Sequence, residues 1–220
     1  MNAHFLRSSI VILALASCCL AQDRTPTKTL DSSACLTPPQ VNGVINDAEW
    51  KDARLHTFDL PFIRIDPVMT EKRVVEFRAM NSANGLYVAL TVPDTTVDES
   101  LAPILLDSAM LAFSKDAKIA ANSDRKVIAK GLYRDKHLNA DLKGDADDAK
   151  QDGIGAMSRK DGKVSFEWAL KLDSGDKEDL QIKPGESVRF NVAYFDALQL
   201  PLTKTIMGGL YGPAMDKAEP

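Results

Sequence analysis

Few residues of this chain are of the types that catalyse hydrolysis, and their spacing matches no catalytic motif. The 220 residues include three histidines, of which only His56 and His137 lie beyond the N-terminal apolar segment, and no Gly-x-Ser-x-Gly or His-Glu-x-x-His sequence occurs. A serine nucleophile needs an adjacent base, and a zincin needs two histidines one helical turn apart. Phosphate-binding loops and dinucleotide fingerprints are absent as well. We therefore expect a protein that is not an enzyme.

The acidic segment Asp141–Asp152 suggests a calcium ion. Counted from Asp145, the residues Asp145, Asp147 and Asp148 are similar to the start of an EF-hand loop, but alanine occupies the fifth and twelfth positions of that loop. The twelfth position must supply a bidentate glutamate, so the ligand set is incomplete. We expect a hydrated loop here instead, as for most runs of charge.

Composition and charge describe a single globular domain. Hydrophobic residues make up 45% and charged residues 26% of the chain, enough for a real core. The net charge is −4, from 27 Lys and Arg against 31 Asp and Glu, and there is no basic block. Binding to nucleic acid needs a clustered positive face, so it is not expected.

The N-terminus has the pattern of an export signal. Arg7 precedes the apolar run from Ile10 to Ala16, which is too short to span a bilayer. Two cleavage sites compete: one after residue 21, and a lipobox-like site after residue 17 that would leave a lipid on Cys18. Either one predicts an exported protein, periplasmic or extracellular. Contact with a membrane is expected only through the lipid of the second form.

Residues 22–40 are rich in Thr, Ser and Pro and predict a flexible linker, with one folded domain at 41–215. After cleavage at residue 21, Cys35 is the one remaining cysteine, so no disulfide framework is expected.

Period-two alternation dominates the folded part. The clearest strands are Val164–Leu172 and Val188–Phe195, and Lys72–Met80 is joined to Leu86–Val92 through an Asn84-Gly85 turn. Shorter candidates are 108–113 and 127–133. Many short strands separated by turns predict an all-β, antiparallel, immunoglobulin-like β-sandwich with short helical turns.

The aromatic residues divide into two groups. Trp168 lies on the apolar side of its strand and is expected in the core, and Trp50 is expected to close one end of the sandwich. Trp50 falls in a helical turn that Asp47 would cap. Three further rings are candidates for exposed platforms that could bind a ligand: Tyr87, Phe195 and Tyr211.

Several segments resemble known families. Residues 41–53 (VNGVINDAEWKDA), and Leu86–Val92 with Asp94 after it, resemble DOMON-like β-sandwich modules, including family 9 carbohydrate-binding modules. Residues 155–162, 170–179 and 184–196 resemble the haem-binding gamma subunits of ethylbenzene and dimethylsulfide dehydrogenases. The resemblance covers about residues 41–210.

The second resemblance implies a b-type haem between the sheets, with Met and Lys as axial ligands and electron transfer as the purpose. Lys204, eight residues past Asp196, lies where the family's lysine falls. Met110 is the nearest substitute for the methionine, and His137 is another candidate because neutral imidazole suits iron. Without haem, these residues would be a core methionine and two surface residues.

Two functions from different classes follow. The first is an exported haem b module that passes electrons to or from a redox partner. The alternative is a family 9-like carbohydrate-binding module with a glycan ligand, which the opening motif favours and the scarcity of exposed aromatic residues disfavours. A sandwich that binds only another protein, without a cofactor, is a third possibility.

Overall fold

Eleven strands form the part of the chain that the computed structural model describes, namely residues 29–65, 68–95, 107–114, 123–129, 131–141, 144–177, 179, 181–183 and 185–196. Their bounds are β1 Ser33–Ala34, β2 His56–Ile65, β3 Val68–Asn81, β4 Gly85–Pro93, β5 Ser108–Ser114, β6 Asp124–Ala129, β7 Leu132–Leu138, β8 Asp145–Asp147, β9 Ile154–Lys160, β10 Lys163–Lys171 and β11 Arg189–Phe195. No helix among these residues is long and apolar enough to cross a lipid bilayer.

The first sheet has six strands in the order β1-β3-β4-β10-β9, with β2 also paired to β3. Strand β10 pairs antiparallel with the central strand β4 from Lys163 to Lys171 and with the edge strand β9 on its other side. The predicted hairpin of β3 and β4 is confirmed, as is the strand centred on Trp168. A tight turn joins β9 to β10 because Asp161 and Gly162 both have positive φ, 52° and 70°.

The second sheet has five strands in the order β11-β5-β6-β7-β8, all antiparallel. The single strand expected at 127–133 is wrong. Two strands, β6 and β7, turn around Gly131, whose φ is 71°. The sequence signal was weak because the inward positions of these strands include charged residues.

The two sheets pack face to face as a β-sandwich, which confirms the predicted fold class. The core contains the alternate residues of the central strands, such as Leu90, Phe166 and Trp168, all fully buried. Aromatic rings fill much of this space: Phe166 stacks on Trp168 with centroids 5.9 Å apart, and Tyr194 meets Phe166 edge-on. Alternation positions these residues because successive side chains of a strand point to opposite faces.

The folded unit begins earlier than expected. Ser33 and Ala34 of β1 pair in parallel with Met80 and Asn81 of β3, inside the segment predicted as a linker. Cys35 is only 8% exposed, and its N–H donates to the Asn81 carbonyl (2.9 Å). Composition alone missed this short pairing.

Strand β2 was not predicted. It pairs with β3 along its whole length, from His56 opposite Phe77 to Ile65 opposite Val68. Pro61 interrupts the alternation, and proline argues against an interior strand. An edge strand tolerates it, and β2 pairs with β3 alone among the described strands.

Candidate ligand-binding groove

An open groove of about 420 Å³ crosses the outer face of the first sheet, at the end where β4 begins and β10 ends. It is formed by the turn before β4, the segment before β9 and the last residues of β10. Its lining residues are Asn84, Gly85, Tyr87, Gln151, Asp152, Gly153, Ile154, Ala169, Leu170 and Lys171.

Strand register produces the floor of this groove. Ala169 lies directly opposite Tyr87 on β4 and Ile154 on β9, so the three side chains form one row across the sheet. A small alanine between two larger side chains leaves a depression. Tyr87 is half-buried, with its hydroxyl 3.3 Å from Ser82 Oγ, and a Cβ at Gly85 would come within 2.7 Å of that hydroxyl. Glycine at position 85 therefore allows the ring to lie where it does.

An ion pair forms one side of the groove. Lys171 Nζ lies 2.8 Å from Asp152 Oδ1, and the lysine side chain is 56% exposed. The hydrogen bond from Lys171 lowers the pKa of Asp152, and the same bond raises the pKa of Lys171. Both groups therefore stay charged at neutral pH and present a donor and an acceptor side by side.

Behind the groove lies a buried group that we call the Lys126 cluster: Lys126 with Asp124, Asp135 and Asp179. Nζ of Lys126 is 2.8 Å from Asp124 and 2.5 Å from Asp179, and it also contacts Asp135. Burial alone would lower the pKa of Lys126, but the charge of Asp124 and the bonds to the other carboxylates raise it. A cavity of about 10 Å³ adjoins the cluster, room for about one water.

The acidic segment is not the hydrated loop that the sequence predicts. Asp145 pairs with Arg125, Asp147 pairs with Lys136, and Asp148 is buried against Nδ1 of His137. One carboxylate oxygen each of Asp148, Asp124, Asp135 and Asp179 lie within 4.8 Å of one another, the spacing of a metal site. The ammonium of Lys126, however, already bonds three of these four carboxylates. The structure thus supplies its own cation at this point.

A buried carboxylate holds the segment around Trp50 against the first sheet. Glu167 is fully buried on the outer face of the first sheet, where it accepts hydrogen bonds from Nε1 of Trp50 (2.9 Å) and from the backbone N–H groups of Asn42 (3.0 Å) and Gly43 (2.8 Å). Trp50 is buried as predicted, but it covers this outer face with Cys35, Met80 and Ala89 rather than an end of the sandwich.

The residue that caps the turn carrying Trp50 differs from the predicted one. Asn46, not Asp47, caps it, because Asn46 Oδ1 accepts from Ala48 N–H (2.9 Å) and the Asn46 carbonyl from Trp50 N–H (3.0 Å). Asp47 instead pairs with Arg78 at 3.0 Å.

The two candidates for the haem ligand that would partner Lys204 lie on opposite faces of the second sheet. Met110 is buried opposite Val127 on the outer face of the second sheet, whereas His137, opposite Asp124, faces inward. The resemblance places the haem between the sheets, so Met110 does not face that space, whereas His137 does. Lys204, the remaining candidate ligand, and Cys18, the lipidation candidate, lie outside the described residues.

The three aromatic residues proposed as exposed platforms do not lie in one site. Tyr87 lies in the groove. Phe195 is 44% exposed, but it pairs with Ser108 on the outer face of the second sheet, away from the groove. Tyr211 lies outside the described residues.

Comparisons with known proteins give structural similarity alone. No protein-family model and no curated protein matches the sequence. Two family 9 carbohydrate-binding module structures from Caldicellulosiruptor kristjanssonii, one with glucose and one with cellotriose, have TM-scores of 0.45 and 0.46 at 15% and 16% identity, and they cover 73% and 74% of this chain and 74% and 75% of theirs. A proposed carbohydrate-binding protein from Bacteroides uniformis has a TM-score of 0.49 at 10% identity, over 77% of this chain and 84% of its own. Such values assign neither a family nor a ligand to this chain.

Proposed function

We propose that this protein is a non-catalytic module that binds a glycan in the groove beside Tyr87. The observation that carries the proposal is the row of Tyr87, Ala169 and Ile154 next to the charged pair of Lys171 and Asp152. An aromatic side chain offers a face on which the C–H surface of a sugar can stack, and the charged pair offers a donor and an acceptor for neighbouring hydroxyls.

The shape of the groove agrees with this ligand class. Its volume of about 420 Å³ lies within the usual range of small-molecule sites. It opens along the sheet surface, so a ligand does not have to be enclosed and a segment of a longer chain can enter. One aromatic ring beside a pair of opposite charges, Lys171 and Asp152, suits a neutral sugar better than a multiply charged ligand. If the chain is exported as its N-terminus predicts, the glycan would be met outside the cytoplasm.

Retention on insoluble polysaccharides tests the proposal. Purified protein is incubated with cellulose, xylan, mannan and chitin, and the bound fraction is measured. We expect retention on at least one of them, and loss of about tenfold in affinity for Tyr87→Ala. The matched control is Phe195→Ala, which removes an exposed ring from the other sheet and should bind like the wild type. Equal loss in both variants, or no retention of the wild type on any of the four, would refute a groove at Tyr87.

A further inference from the structure

We propose that Gln151 and Asp135 are positioning residues of the groove: through them the second sheet holds the groove wall of residues 151–154. This inference rests on the proposed function only where it calls the groove a glycan site. The tether itself, in which a buried residue of the second sheet holds one wall of a groove on the first sheet, does not depend on the ligand.

Gln151 is bound to the backbone of Asp135 at both ends of its amide. Its Oε1 accepts the Asp135 N–H at 2.7 Å, and its Nε2 donates to the Asp135 carbonyl at 3.0 Å. The last Cα pair of β7 and β8 is Lys136 with Asp147, and the N–H of Asp148 still reaches the Asp135 carbonyl (3.0 Å). The side chain of Gln151 therefore extends the hydrogen bonding of β7 by one residue, to Asp135. An alanine at position 151 could not form these bonds.

The carboxylate of Asp135 holds the next residue of the wall. Its Oδ2 accepts from the backbone N–H of Asp152 (3.4 Å) and from the hydroxyl of Tyr133 (3.0 Å), and its Oδ1 contacts Lys126. Asp135 itself is completely buried. Its orientation is therefore fixed by the Lys126 cluster, and it transmits that orientation to the backbone that carries the Asp152 carboxylate.

The close approach of the wall to the second sheet also requires glycine. A Cβ at Gly153 would overlap the hydroxyl of Tyr133, and a Cβ at Gly155 would come within 2.7 Å of Ile128. Both neighbours belong to β6 or β7. The wall is thus pressed against the second sheet on its inner side while it lines the groove on its outer side.

The tether contains a group that titrates near neutrality. The Asp148 carbonyl accepts a bond from Gln151 Nε2 (3.4 Å), and burial raises the pKa of the Asp148 carboxyl to about 6. His137 faces this carboxyl, as does Asp135 from the same strand; the other charged groups around it come from β6 and the loop after β10, namely Asp124, Lys126 and Asp179. Protonation of Asp148 removes one negative charge from this acidic group and therefore favours the folded state as the pH falls.

Amide exchange measured by NMR tests the tether without any ligand. We expect Gln151→Ala to lower the protection of the amides of Gly153, Ile154 and Gly155 by about tenfold, with the rest of the first sheet unchanged. The matched control is Glu186→Ala, since the Glu186 carboxylate also binds a backbone group, the N–H of Lys183 (3.2 Å), but within its own exposed turn. Tyr133→Phe, which loses one bond to Asp135, is a milder second variant and should lower the same protection less. Protection in Gln151→Ala equal to that of the control would overturn the proposal.

Ligand binding separates positioning from general stability. On the polysaccharide that retains the wild type, Gln151→Ala should lose binding while Glu186→Ala keeps it. If no polysaccharide retains the wild type, the proposed function fails, and the amide measurements still decide the tether.

Discussion

Trp50 donates its indole N–H to the carboxylate of Glu167 across 117 positions of sequence, at a distance of 2.9 Å, and both side chains are buried. Two backbone N–H groups at residues 42 and 43 complete the shell of this carboxylate. Segment 41–53, which the resemblance to sandwich modules singled out, therefore closes over a buried charge on the outer face of the first sheet.

Replacing Glu167 with Gln should destabilise the fold. An amide has one acceptor oxygen in place of two, so it cannot satisfy three buried N–H donors as the carboxylate does. We expect a loss of about 2–3 kcal/mol in the free energy of unfolding, measured by urea denaturation. Glu76→Gln is the control: Glu76 lies partly exposed on the same face, and among the described residues it pairs with Lys163 at 3.3 Å, so its free energy of unfolding should change by no more than about 0.5 kcal/mol. Similar losses in both variants would contradict a special role for Glu167.

Lys126→Met should lower the free energy of unfolding by more than Glu167→Gln does, by about 3–5 kcal/mol. It removes a buried positive charge and leaves the aspartates of the Lys126 cluster uncompensated. Lys163→Met removes an exposed lysine and serves as the control. A Lys126→Met protein as stable as this control would show that the cluster contributes nothing.

Stability of the wild type should depend on Asp148. Its pKa in the folded protein is raised from 3.8 to about 6, chiefly by burial. A raised carboxyl pKa means that the folded state binds the proton more readily than the unfolded state. Stability should therefore increase as the pH falls through 6, until the unfolded state is protonated too. Between about pH 7 and about pH 5.5 the gain should be about 1 kcal/mol relative to Asp148→Asn in urea denaturation. A wild type that loses stability relative to that variant over the same interval would contradict this assignment.

Alternation predicted the strands wherever one face is purely apolar, as in Val164–Leu172. It failed where a buried face carries charge: Lys126 and Asp135 point between the sheets and look like surface residues in sequence. Glu167 shows the same limit, since it alternates with core residues and only the distant Trp50 segment covers it.

The candidate site was partly within reach of the sequence. Tyr87 is one of the three candidate exposed rings of the sequence, although the structure half-buries it, and the sequence also predicts the Asn84-Gly85 turn beside it. Ala169 and Ile154 could not be assigned to the same row because their meeting depends on the register of three strands. The sequence does not predict the tether through Gln151 either. A single side chain that bonds to a strand backbone leaves no periodic pattern in the sequence.

Chemical-shift mapping is the most direct test of a glycan site in the groove. Soluble oligosaccharides of cellulose, xylan, mannan and chitin are titrated into labelled protein, and the amides that move are recorded. Binding in the groove predicts saturable shifts at Tyr87, Ile154 and Ala169, with Phe195 on the other sheet unaffected. Saturable shifts confined to other surfaces, or none with any of the four, would contradict it.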